Sequence, residues 1–167
     1  MQVGSSKSDV AALLQRLVAR ELPSGGTLEA WDSFLRAHAT LMRRLEVDLA
    51  QATGFALADF DVLAQLARAG GELRMTDLAT RSLVSRSGMT RRVARLVEKG
   101  LAGRANTDAD GRGVVVTLTD AGVARLTETA SVHLRGVSEL FVTQLDDQEL
   151  AVLKNALDKV TVDCTFG

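Results

Sequence analysis

The chain has 167 residues, enough for one domain with a real core or a small domain carrying accessory helices. Hydrophobic residues make up 46% and charged residues 25%, which excludes a disordered chain; proline occurs once, so helix propensity runs high throughout. The net charge of −1 conceals an asymmetry: residues 81–112 hold eight Lys and Arg against three acids, +5 in net, which leaves −6 on the remainder.

The single cysteine, Cys164, allows neither an internal disulfide nor a cysteine zinc site. No apolar run approaches the roughly 18 residues of a membrane span, and the opening MQVGSSKSDV lacks the apolar stretch of a signal peptide, so a cytoplasmic protein without a membrane partner is expected.

Behind Ser8, Val10, Leu13, Leu14, Leu17 and Val18 recur at helical spacing and give a first amphipathic helix, closed by Pro23. Thr27 is placed to cap a longer helix with the stripe Trp31, Phe34, Leu35, Leu41 or Met42, Leu45 and Leu49, broken at Gly54. Phe60, Leu63, Ala64 and Ala67 mark a third helix that stops at Gly70-Gly71. Leu73 to Met75 then reads as a brief strand, and Thr76 as the cap of a two-turn helix buried through Leu78 and Ala79. After the tight connection SLVS, Ser85 caps a helix that runs to Gly100. LAGRAN and the β-branched GVVVTL flank the turn-rich TDADGRG and read as a hairpin. Thr119 caps a long helix to about Phe141, and Asp146 with Glu149 has the spacing of a capping box before the stripe Leu150, Leu153, Leu157 and Val160.

The basic segment falls on the short central elements. At about 100° per residue, Val93, Met89, Leu96 and Val97 share one face of the helix after Ser85. Ser87, Gly88, Arg91 and Arg95 lie on the opposite face, Thr90 and Arg92 flank it, and Arg86 sits at the first turn. A helix front of small residues and guanidinium groups is what reading the major groove of DNA requires, where bidentate arginine on guanine is the commonest specific contact. Ser87 and Gly88 would bring the helix N-terminus close to a phosphate. The plain alternative is a solvated charged face; the short helix and four-residue turn ahead of it make a helix-turn-helix and weigh against that. Asp110 and Arg112 at the hairpin tip are then candidates for a wing, the arginine entering the minor groove with an acid to steady it.

The stretch Phe60 to Gly122 resembles the MarR family of winged-helix transcription regulators. The likeness rests on Leu78-Ala79, on Ser87 to Thr90 opening the recognition helix, on Leu96 to Leu101 joining it to the wing, on Asp110 and Arg112, and on Leu118 to Gly122. It implies a mainly α fold, a winged helix-turn-helix with a short β-hairpin wing flanked by long N- and C-terminal dimerisation helices. The corresponding segments are an extension over 1–26, an N-terminal dimerisation helix over 27–56, the winged helix-turn-helix over 57–118 and C-terminal dimerisation helices over 119–167. It further implies a homodimer on the palindromic operator of double-stranded DNA, acting as a repressor, with Ser85, Arg86, Ser87, Gly88, Thr90, Arg91, Arg92 and Arg95 as the recognition set. Gly111 and Gly113 flank Arg112 where a second arginine often stands, a departure that leaves the wing tip less basic.

Relatives of this kind often release DNA on binding a phenolic ligand, and Trp31, Phe34 and His38, with Phe60 opposite, are the candidate lining. Against this, a histidine on an apolar stripe is more often a core or interface residue, and Trp and Phe are more often plain core. No cofactor is expected, and His38 and His133 are too few and too far apart for a metal site. The competing class is a winged helix that binds an acidic protein without sequence-specific DNA contact. An enzyme has little support, since the chain has no Cys/His pair and no phosphate loop.

Overall fold

The computed structural model describes residues 7–22, 26–106 and 113–164. The chain divides into two compact units, Met1–Arg43 and Arg44–Gly167. Eleven elements follow in order: α1 (Lys7–Glu21), α2 (Gly26–Thr53), α3 (Leu57–Arg68), β1 (Glu72–Arg74), α4 (Met75–Arg81), α5 (Arg86–Glu98), β2 (Ala102–Asn106), β3 (Val114–Leu118), α6 (Asp120–Leu140), a 3₁₀ turn (Val142–Gln144) and α7 (Asp147–Cys164). The mainly helical class with a small sheet is as the sequence implies.

In the first unit the apolar stripes are uncovered. Val10, Leu13 and Leu14 of α1 are each at least half exposed, and Trp31, Phe34 and Leu35 of α2 are exposed as well. Trp31, Phe34 and His38 form a ladder of rings, with centroids 6.0 and 6.3 Å apart.

In the second unit one core joins the end of α2, α3, α4, α5 and the sheet, with Leu49, Leu63, Leu66, Leu78, Met89, Val93, Leu96 and Val116 fully buried. The sheet is antiparallel in the order β1-β3-β2. Leu73 of β1 pairs with Val116, and Arg104 of β2 pairs with the same residue from the other side. The edge strand before the helix-turn-helix is therefore bonded to the hairpin after it.

Local signals set most boundaries. The Ser85 hydroxyl accepts the Gly88 N–H at 3.2 Å, and the Thr119 hydroxyl accepts that of Gly122 at 3.0 Å. The Asp146 carboxylate accepts the Glu149 N–H at 2.8 Å while Glu149 accepts that of Asp146 at 2.9 Å, a complete capping box. At α3 the cap comes from elsewhere: Ala56 has no side-chain acceptor, and the Glu46 carboxylate on α2 accepts the Leu57 N–H at 3.0 Å.

Two expectations are corrected. The strand ends at Arg74 and α4 begins at Met75, so Thr76 lies within the first turn, its hydroxyl 3.3 Å from the Asp77 carboxylate rather than on a backbone N–H. Burial of Met75 draws the helix start forward by that residue. The expected caps at Ser8 and Thr27 involve side chains outside the described residues.

Helices α3, α4 and α5 end alike. In each, the residue after the C-cap has positive φ and its N–H, with that of the next residue, satisfies the last carbonyls: Gly70 and Gly71 onto Ala67 and Leu66, Leu83 and Val84 onto Thr80 and Ala79, Gly100 and Leu101 onto Val97 and Leu96. Leu83 thus holds a left-handed conformation (φ 51°) where the other two helices have glycine, and its side chain is 94% exposed.

The start of α6 is pinned to the end of α5. The Thr119 hydroxyl donates to the Gly100 carbonyl at 2.8 Å, and the Thr119 N–H to that of Leu101 at 3.3 Å. Gly122 presses on the same backbone so closely that a Cβ would overlap the Leu101 carbonyl oxygen. Further along α6, the His133 ring packs on Phe60 of α3, centroids 4.5 Å apart. Burial holds the His133 imidazole below its ordinary value of 6.5; Arg68 adds to this and Asp61 opposes it.

Three outcomes are expected. Gly122→Ala, which forces a methyl group into a backbone oxygen, should lower the stability measured by urea unfolding by about 3 kcal/mol. Leu83→Gly relieves the left-handed conformation without losing buried surface and should raise it by about 0.5–1 kcal/mol. Because the folded chain binds a proton at His133 more weakly than the unfolded chain, stability should fall as pH drops from 6.5 through the lowered folded value, then level off. The urea midpoint of His133→Gln followed over that range should show a shallower fall than the parent.

Candidate nucleic-acid interface

Helix α5 is fixed by its back. Met89, Val93 and Leu96 of α5 have no exposed surface, and together they form the ridge that seats the helix in the core. Val97, expected on that ridge, is 38% exposed and lies at its rim. With this face buried, Arg86, Ser87, Thr90 and Arg91 are exposed and line one shallow depression, while Arg92 is half-buried. Among the described residues, neither Arg86 nor Arg91 has an ion pair.

Gly88 is closely surrounded. It is half-buried, and a Cβ there would lie 2.9 Å from Val84 Cγ1 and 3.1 Å from Ser85 Oγ. The space it leaves is taken up by the turn of its own motif, so a larger residue would crowd the Ser85 cap. The Thr90 hydroxyl donates back along the helix to the Arg86 carbonyl at 2.9 Å.

Arg95 is exposed on the same face as Arg91, as expected, but it is held by an acid from another helix. Its guanidinium Nη2 lies 3.0 Å from Oδ1 of Asp59, a first-turn residue of α3 whose side chain is 3% exposed. Lys99, one turn further on, reaches Oδ2 of the same carboxylate at 3.5 Å, and its ammonium stands 5.7 Å from the Phe55 ring centroid. The Arg125 guanidinium stands 4.9 Å from the same ring centroid, and Arg125 also donates to the Thr53 carbonyl. The cations at the C-terminal end of α5 are therefore bound into the body of the unit, whereas among the described residues Arg86 and Arg91 toward its N-terminal end have no acid paired with them.

Beside the N-terminal end of α5 lies a hollow of about 250 Å³. Arg86 and Thr90 of α5 meet Arg74 and Thr76 from the β1–α4 junction and Arg104 from β2 there. The β1-β3-β2 order sets both strands beside β3, and Arg74 and Arg104 both line this hollow. Only Arg104 had been counted in the basic segment, and only the pairing of β1 with β3 places Arg74 near it. Asp110 and Arg112, the expected wing contacts, lie outside the described residues.

The other candidate residues divide between the units. Trp31, Phe34 and His38 stand on the exposed stripe of the first, whereas Phe60 is buried in the second against His133. Among the described residues, no group of three His, Cys, Asp or Glu could hold a metal ion, and no helix is long and apolar enough to cross a membrane.

A model of the MarR family matches residues 53–113, from the end of α2 to the foot of β3. No curated protein matches the chain. Among solved structures, AbsC, a MarR family transcriptional regulator from Streptomyces coelicolor, is 28% identical with a TM-score of 0.77, over 84% of this chain and 95% of its own. Sco3205, a MarR family transcriptional regulator from the same organism in complex with DNA, is 27% identical with a TM-score of 0.80, over 86% and 91%. A cysteine-to-serine mutant of MarR from E. coli complexed with operator DNA is 27% identical with a TM-score of 0.69, over 86% and 97%. The family model thus lies on the helix-turn-helix and its hairpin, and the chain is similar in fold to these MarR family transcriptional regulators over nearly their whole length.

Proposed function

We propose that the protein is a repressor that binds a palindromic operator as a homodimer, reading sequence with the front of α5. The observation that carries this is the free N-terminal half of that helix: Arg86 and Arg91 without ion pairs among the described residues, flanked by Ser87 and Thr90 and joined by Arg74 and Arg104 across one hollow. In this reading Arg91 reaches base edges, Arg74, Arg86 and Arg104 meet the backbone, and Asp110 with Arg112 extends the contact along the minor groove. The DNA complexes of the Sco3205 and MarR structures support the same use of the fold.

A homodimer accounts for the uncovered stripes of α1 and α2 and for Leu134, Val152 and Val160, each more than half exposed on α6 and α7. The segments keep the roles given by the family pattern, with 27–56 and 119–167 as dimerisation helices and 57–118 as the reading head. The ring ladder of Trp31, Phe34 and His38 is the candidate site for an aromatic effector of phenolic type.

The test is binding of the full chain to duplexes selected from random sequence, followed by anisotropy. The selected site should be two-fold symmetric with half-sites about 10 bp apart, and affinity should fall steeply with salt. Arg91→Ala should lose about 1–3 kcal/mol on that site and relax preference at one base position without lowering the thermal midpoint. Binding that ignores both sequence and salt would instead favour the protein-interaction reading.

A further inference from the structure

The charge on α5 is divided by a residue outside it. Arg91, Arg95 and Lys99 stand four residues apart along one stripe of the helix, yet Arg95 and Lys99 share the Asp59 carboxylate beneath them. The Arg95 and Lys99 side chains are each 51% exposed, so both cations stand at the surface, whereas the carboxylate that holds them is 3% exposed. A buried carboxylate with little access to water needs its partners. A phosphate that took Arg95 would leave that carboxylate with a single cation at 3.5 Å.

We propose that Asp59 is a specificity-determining residue for DNA: as an internal counterion it withholds Arg95 and Lys99 from the phosphate backbone, so that the helix binds through the cations near its N-terminus. This rests on α5 being the DNA-reading helix. Contacts to phosphate raise affinity for every sequence alike, whereas contacts to base edges discriminate. A recognition helix with two fewer phosphate contacts gives up general affinity and keeps the ratio between its own site and all others. Asp59 touches no DNA in this arrangement; it acts through the two cations it retains.

The experiment measures binding of the full chain to a selected duplex and to a random-sequence duplex across a series of KCl concentrations. Asp59→Asn keeps the shape of the side chain and removes its charge. The variant is expected to bind random DNA more tightly, by about three- to tenfold at low salt, with a log–log salt slope steeper by about one to two. Its preference for the selected site should shrink. Arg95→Gln alone should leave the parental slope unchanged, because the cation it removes is not in use, and added to Asp59→Asn it should cancel about half of the gain in slope. A merely structural role for Asp59 predicts the opposite pattern, with affinity for both duplexes falling together and no steepening. A folded Asp59→Asn with the parental slope overturns the inference. So does an Arg95→Gln whose slope is shallower than the parent's by about one, a result that holds even where Asp59→Asn fails to fold. A parent with no salt response overturns the DNA reading itself, which separates the two failures.

Discussion

The geometry of the basic face refers back to one backbone contact, where Gly122 at the start of α6 meets Leu101 just past the end of α5. Three elements depart from that point. Helix α5 ends there in its glycine cap, β2 begins one residue later, and Thr119 ties α6 to the Gly100 carbonyl. The direction of the recognition helix relative to the wing strands is therefore not set by side-chain packing alone. Backbone against backbone is the stiffest contact a fold can make, since no rotamer can relax it. The ridge of Met89, Val93 and Leu96 then sets the rotation of α5 about its own axis, and so selects which arginines face out.

The Asp59 pair shows why electrostatics is harder to read along a chain than packing. Within residues 81–112 the basic excess is plain, and nothing near in sequence opposes it. The opposing carboxylate lies 36 residues before Arg95 and 40 before Lys99. A tally of charge by segment records the sum and misses the pairing, and it is the pairing that decides which cations a ligand can use. Arg74 is the converse case, a cation outside the tallied segment that the sheet order carries to the interface.

What was legible in the sequence follows the same division. Ser85, Thr119, Asp146 with Glu149, and Gly100 announce helix ends because each acts on backbone groups within three or four residues. The hairpin and the buried stripe of α5 were legible from periodicity. The start of α4 was displaced because burial of Met75 outweighed the capping preference of Thr76, and the cap of α3 was invisible because Glu46 supplies it from the preceding helix. The crowding at Gly88 comes from Val84 and Ser85 in the turn before it, a local packing reason that periodicity does not reveal. His133, unremarkable on its own helix, acquires its depressed basicity from Phe60 packing and Arg68, neither of which is local to it.

The β1–β3 pairing has a mechanical consequence. Glu72 stands opposite Thr117, and the Leu118 N–H bonds the Gly71 carbonyl at 2.7 Å, so the segment that carries α4, α5 and the hairpin enters and leaves the fold at the same place. It is a loop closed at its neck. A disturbance in α3 or α6 reaches it through that neck, through the α5–α6 joint, and through the core and the Asp59 pair that α3 shares with α5, and so tends to turn it as a body rather than bend it. The spacing among Arg74, Arg86, Arg91 and Arg104 is thereby insulated from such movement, and what remains adjustable is the bearing of the whole head, as with a key whose teeth are cut and whose angle to the lock is all that the hand controls.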